Sequence, residues 1–312
     1  MSTKATRAEH LNIVVAGQGA IGSLWCWHLR QARAIHLSLL TKTRHEQTKQ
    51  LCFSNIQGLS YQYTCHVASD ESLAQADLLV VCLKSYDAAS LVNSLAAHIA
   101  PTTDILLVHN GMGVVEALST EIKSTHAIFT CLTTHGAFRP SQSHSIHTGL
   151  GRFDIGRHDH TQMSPPHWFA GIKQALPNAH WQTDINTKQW QKLAINCVIN
   201  PLTALNDVRN GKLTQADYLP QISAIANEVA QVATSQGIEL TAQVITEQAL
   251  RVAAATAKNV SSTLADVRAN RATEIHAING YICQLAAQAG IKVPINEALV
   301  AKVANLSARN AL

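Results

Sequence analysis

The 312-residue chain lacks several features that would narrow its role at once. Charged residues are only 14% of it and the net charge is +4, with Lys and Arg scattered rather than run together. That distribution is not the footprint of a nucleic-acid groove. No apolar run approaches the roughly 18 residues that a membrane helix requires. The opening MSTKATRAEH is polar and has no secretory apolar stretch. The seven cysteines (26, 52, 65, 82, 131, 197 and 283) are odd in number and form no CxxC pair. Several sit in apolar runs such as LLVVCLK, so they read as buried thiols in a reducing cytosol rather than as disulfides or metal ligands. Sixteen histidines include no HExxH or other ligand spacing, and there is no internal repeat or low-complexity segment. The expectation is a soluble cytoplasmic protein, monomer or homodimer, with a small-molecule ligand and with no metal, membrane or nucleic-acid partner.

What is present is 46% hydrophobic residues over a length that suits about two domains. The first half alternates short apolar runs with helical patterns, the signature of βαβ units. Strands are expected at Leu11–Ala16, Ile35–Leu40, Asp77–Leu83, Asp104–Val108 and Ala127–Leu132. A helix is expected over 20–32, a smaller hairpin over 51–67 turning at Gly58, and one late antiparallel strand over 145–156. Ser164-Pro165-Pro166 marks a turn before a helix near 167–175. Beyond about residue 187 the strand signals vanish. Ile222, Ile225, Val229 and Val232 form a helical stripe that Gly237 ends, and Gly290 closes a later helix ahead of Pro294. The predicted architecture is an α/β, Rossmann-type doubly wound parallel sheet over 1–184 followed by an all-α domain over 185–312.

Gly17-Gln18-Gly19-Ala20-Ile21-Gly22 is G-x-G-x-x-G directly after a strand and at the opening of a helix. The first glycine permits a tight turn, the second lets the backbone approach a pyrophosphate, and the third lets helix and strand pack closely. At the end of the second strand, where NAD enzymes carry an acid for the ribose hydroxyl, the chain reads Thr41-Lys42-Thr43-Arg44. Lys42 and Arg44 would attract a 2′-phosphate, so NADP is expected. Lys84 and Asn110 each follow a buried strand, where ligands bind in open α/β sheets. The bland reading of both is a solvated or loop-capping residue.

Lys192, Asn196 and Asn200 recur every four residues through an otherwise apolar segment. On a helix they stack an ammonium and two carboxamides on one face. Buried without partners, these groups would cost several kcal/mol, so the stripe needs something polar to face. Pro201 follows at once and is expected to bend or end the helix. Asn259-Val260-Ser261-Ser262 reads as a chance glycosylation sequon, as a helix cap or as part of a site. Glu274 reads as a surface carboxylate or as part of one.

Taken together, GxGxxG, Lys84, HNGMG (109–113), TTHGA (133–137), KLAINCVINPLTAL (192–205) and NVSSTLADVRANRATEIHAINGYI (259–282) resemble the ketopantoate reductase family. These blocks span nearly the whole chain in the family's order. The resemblance implies NADPH-dependent reduction of 2-dehydropantoate to (R)-pantoate in pantothenate biosynthesis. By it, residues 17–22, Lys84, Asn110 and Ala137 match cofactor positions, and Asn110 also lies near the substrate. Lys192 matches the general acid. Asn196, Asn200, Asn210 and Asn259–Ser262 match substrate-holding positions, and Glu274 a position tied to the cofactor and to the catalytic lysine. Thr41 departs from the arginine that members often carry at the second strand's end. Two other readings remain open: reduction of another small 2-oxo acid, and a non-catalytic NADP(H)-sensing protein.

Overall fold

The computed structural model describes residues 10–42, 46–159 and 163–309. The chain divides into two compact units: Met1–His109 with Val115–Ile185, and Asn110–Val114 with Asn186–Leu312. In the first unit, β1 (Leu11–Ala16), α1 (Ala20–Leu29) and β2 (Ile35–Leu40) form the opening βαβ module. The hairpin β3 (Thr48–Ser54) and β4 (Ser60–Val67), the helix α2 (Asp70–Ala74), β5 (Leu78–Val81) and α3 (Ser85–Ser94) follow. Then come β6 (Asp104–Leu107), α4 (Thr120–Thr125), β7 (Ile128–Thr133), β8 (Gly136–Phe138), β9 (His144–Gly149), β10 (Phe153–Arg157), α5 (Phe169–Ala175) and β11 (Ala179–Trp181).

The eleven strands among the described residues join one sheet, ordered β11-β10-β7-β6-β5-β1-β2-β4-β3-β9-β8. Its centre is parallel: β1 pairs with β2 and β5, β5 with β6, and β6 with β7. Strands buried on both faces read as continuous apolar runs, and β5 (LLVV) is buried at every position. The flanks are mixed, because β3–β4, β7–β10 and β8–β9 pair antiparallel. The predicted single strand over 145–156 is two strands. Gly149 to Arg152 carry the chain from one side of the sheet to the other, so β9 pairs with β8 and β3 while β10 pairs with β7. The three-residue strands β8 and β11 are too short to show a period.

The second unit is helical: α6 (Ile185–Asn206), α7 (Leu219–Ser235), α8 (Ala242–Ala255), α9 (Ser262–Arg268), α10 (Asn279–Ala289) and α11 (Pro294–Arg309). The α7 stripe of Ile222, Ile225, Val229 and Val232 is buried in the core. Gly237 and Gly290 take positive φ just past α7 and at the end of α10, where a side chain would be strained. Pro201 does not end α6, which continues to Asn206. The segment 110–114, expected within the nucleotide domain, groups with the helices: Met112 N donates to the Ala277 carbonyl at 2.8 Å.

The first unit holds a cluster of histidines that belongs to its core. His135 Nε2 donates to the Pro177 carbonyl at 3.3 Å. Its Nδ1 therefore accepts from Gly151 N at 3.2 Å and faces His147 Nε2 at 3.1 Å. His147 Nε2 also lies 3.0 Å from the Gly149 carbonyl, and the His28 ring packs edge-on to that of His147. This arrangement suits neutral rings and ties down the turn between β9 and β10. Burial, reinforced by the neighbouring imidazoles, lowers the pKa of His28 from 6.5 to about 4. Burial also lowers His135 and His147. The unfolded chain therefore binds protons at these sites before the folded one does. Stability is expected to be full above about 6.5 and to decline as pH falls toward about 4. Urea titrations across that window should show a steeper decline for the native chain than for His28→Leu, and equal slopes would remove this group from the acid response.

Candidate active site

The glycine loop sits where β1 and β5 end side by side: Cys82 N donates to the Ala16 carbonyl at 2.7 Å. Gly17 has φ +105°, and a Cβ there would lie 2.5 Å from the Cys82 carbonyl oxygen. A Cβ on Gly22 would overlap the carbonyl oxygen of Gly17. Gly19 is different: its Cβ would meet only Cys82 O, at 4.0 Å. Two glycines are thus required by the fold, and the third leaves open space in front of a helix terminus. Gly19 caps α1 with no side-chain hydrogen bond, so first-turn N–H groups face outward, as an anion such as a pyrophosphate requires. Ala20 and Ile21 begin α1, and Gln18 Nε2 donates to the Gln142 carbonyl at 3.3 Å. The loop's geometry fits a dinucleotide.

Other predicted cofactor positions in this unit lie on several elements. Lys84 caps α3 directly after β5 and is half-buried. Lys42 is exposed two residues beyond β2, while Thr43 and Arg44 lie outside the described residues. Ala137 sits on β8, half-buried against the first unit's core.

In the second unit, α6 presents Lys192 and Asn196 half-buried and Asn200 fully buried. Asn200 Nδ2 has no hydrogen-bond partner among the described residues. A buried donor left so costs about 1–3 kcal/mol, which an oxygen-bearing ligand would recover. Gln189, which sequence reasoning missed, is buried one turn before Lys192 on the same face. Its Nε2 donates to the Gly111 carbonyl at 3.5 Å, and its Oε1 has no partner among the described residues. Glu274 is only 5% exposed and is not a surface carboxylate. It accepts from Asn110 Nδ2 at 3.4 Å, joining two predicted residues 164 positions apart. Gly111 (φ +78°) allows this approach, since any side chain there would run into Ala277.

The rest of the predicted substrate set clusters beside the C-terminal half of α6. Asn210 N donates to the Asn259 carbonyl at 3.0 Å and Asn210 Nδ2 to Thr256 Oγ1 at 2.9 Å. Asn210 Oδ1 is buried without a partner among the described residues. Ser261 caps α9 by accepting from Leu264 N at 3.1 Å, and it also accepts from Thr203 Oγ1 at 2.7 Å. Its hydroxyl oxygen thus ties α9 to α6. Val260 is half-buried, and Asn259 and Ser262 are exposed. Thr203 carried no sequence signal, because a threonine inside a helix is ordinary.

Two family models cover the chain: ketopantoate reductase PanE/ApbA over residues 13–160, and ketopantoate reductase PanE/ApbA C terminal over 184–307. The chain belongs to the ketopantoate reductase family. The 2-dehydropantoate 2-reductase of Vibrio cholerae is 34% identical over 296 residues, covering 95% of this chain and 98% of that one. The crystal structure of a PanE/ApbA family ketopantoate reductase from Ralstonia eutropha JMP134 matches with a TM-score of 0.82 at 23% identity, covering 96% and 100% of the two chains. D-mandelate dehydrogenase, solved with NADH and anilino(oxo)acetate, shares the fold at a TM-score of 0.81 and 20% identity over 96% and 99%. Membership makes the chain an oxidoreductase. No helix among the described residues is long and apolar enough to cross a membrane.

The glycine geometry separates two effects. Gly19→Ala meets no close neighbour, so the thermal midpoint should hold while dinucleotide affinity, read by fluorescence titration, falls about tenfold or more through the lost backbone approach. Gly22→Ala should lower both. Unchanged affinity in Gly19→Ala would place the pyrophosphate elsewhere.

Proposed function

We propose that this chain reduces 2-dehydropantoate to (R)-pantoate with NADPH as the reductant, using the face of α6 to hold the substrate and protonate the product. The buried Nδ2 of Asn200, without a partner among the described residues and beside half-buried Asn196 and Lys192, is the observation that carries this reading. It supports an oxygen-rich ligand against that face. When bound, the reduced nicotinamide supplies a hydride to the substrate's C2 carbonyl carbon. The carbonyl π pair then becomes the lone pair of an alkoxide. Lys192 stabilises that oxyanion and transfers an Nζ proton to it, leaving a hydroxyl and a neutral amine that solvent reprotonates. An ammonium on a half-buried helix face suits this role because its acidity responds to its surroundings.

Asn196 and Asn200 donate to substrate oxygens and fix the orientation of the carbonyl. Asn210 and the turn Asn259–Ser262 close the other side, with Ser261 acting chiefly through the cap it makes. Glu274 holds Asn110 in place by accepting its amide hydrogen. Gly17–Gly22, Lys84, Asn110 and Ala137 hold the dinucleotide. Lys42 and Arg44 favour the 2′-phosphate in the absence of an acid at the end of β2.

Lys192→Ala should lower turnover by about 10²-fold or more while cofactor affinity stays close to native, as expected for loss of a general acid. Unchanged steady-state turnover would dismiss that role. Asn200→Ala should mainly raise the Michaelis constant for 2-dehydropantoate, by about tenfold, with a smaller effect on turnover. NADPH oxidation measured with 2-dehydropantoate and with 2-oxoisovalerate decides between substrates. A preference for the latter would favour reduction of a different 2-oxo acid, and tight NADPH binding without oxidation of either would favour a sensor.

A further inference from the structure

Pro201 lies inside α6, between the substrate face and the helix end. A proline has no N–H, so the Cys197 carbonyl, four residues earlier, loses its helical donor. Cys197 is fully buried, and no water-exposed surface is at hand to replace that bond. The replacement comes from α10: Asn279 Nδ2 donates to the Cys197 carbonyl at 3.0 Å. Asn279 is 0% exposed.

The orientation of this amide is set by a relay. Glu228 on α7 is buried, and its carboxylate accepts from the backbone N–H groups of Ile295 and Asn296, each at 2.9 Å, at the start of α11. A carboxylate only accepts, so Asn296 must turn its Nδ2 toward Glu228 Oε2, at 2.7 Å. That leaves Asn296 Oδ1 to accept the second hydrogen of Asn279 Nδ2, at 2.9 Å. Both N–H bonds of Asn279 are then committed, one to Asn296 and one to the Cys197 carbonyl. Asn279 Oδ1 remains buried without a partner among the described residues, a cost that a purely apolar side chain would avoid.

We propose that Asn279 is a positioning residue for the reaction: its amide, aimed by Asn296 and Glu228, replaces the hydrogen bond that Pro201 removes and sets the pitch of α6 between Asn196 and Asn200. The inference rests on the reading of that face as the substrate site. Cys197 directly follows Asn196, and Pro201 directly follows Asn200. A local unwinding at this point rotates the two carboxamides relative to each other, and misplacement of this kind is costly to substrate handling.

A double-mutant cycle tests it. Asn279→Ala should raise the Michaelis constant for 2-dehydropantoate on the order of tenfold, with NADPH affinity and turnover much less affected. Pro201→Ala restores a backbone N–H to the Cys197 carbonyl. In that background, removing the Asn279 side chain should cost much less, about threefold or under. Where Asn279→Ala does not fold, Asn279→Asp keeps the shape, removes the donor and takes its place in the cycle. Additive effects in the two backgrounds, or a lowered thermal midpoint with an unchanged Michaelis constant, would overturn the proposal. If Lys192→Ala and Asn200→Ala also proved silent, the site reading itself would be at fault. Response of those two with additivity at Asn279 would isolate the failure to the positioning role.

Discussion

A buried helix that carries polar groups must find each of them a partner, and the second unit is organised around meeting that requirement on α6. Gln189 is met by the Gly111 carbonyl, Thr203 by Ser261, and the Cys197 carbonyl by Asn279. Each partner comes from a different part of the chain, so α6 is the element against which the NGMG segment, the α9 cap and the α10–α11 corner are registered. Among the described residues the buried Asn200 Nδ2 and Gln189 Oε1 are left over on that helix. Where most polar groups are satisfied, an unmet donor on the same face as an ammonium is the exception that the proposed substrate site accounts for.

The first unit meets a constraint of another kind, one of space. The carbonyl of Cys82 comes so close to Gly17, and that of Gly17 to Gly22, that neither position admits a side chain. Close packing brings the ends of β1 and β5 together with the start of α1, and the free first turn of α1 faces the space above Gly19. A histidine cluster joins α1 to β9 and the turn that follows it, and burial lowers the pKa of each ring.

Much of this was legible in the chain. The GxGxxG loop, the apolar runs of the parallel strands and the four-residue spacing of Lys192, Asn196 and Asn200 are local patterns, and local patterns encode their own geometry. Glycine stops at 237 and 290 were legible for the same reason. The paired strands β9 and β10 were not, because the run 145–156 keeps strand character throughout and only its partners show where it divides. Pro201 bends or ends a helix by its missing N–H; here the helix does not end, because a side chain 78 positions later supplies the donor.

The sequence by itself thus determined the sheet-then-helix order of elements, the glycine turn after β1 and the four-residue spacing of Lys192, Asn196 and Asn200 on α6, since each depends on residues close together along the chain. Tertiary structure alone decided that Glu274 meets Asn110, that Ser261 serves as a cap, that Gln189 shares the polar face with a committed amide, and that Asn279 completes α6. Those facts depend on which distant groups burial brings within hydrogen-bond reach, and no spacing along a chain records that.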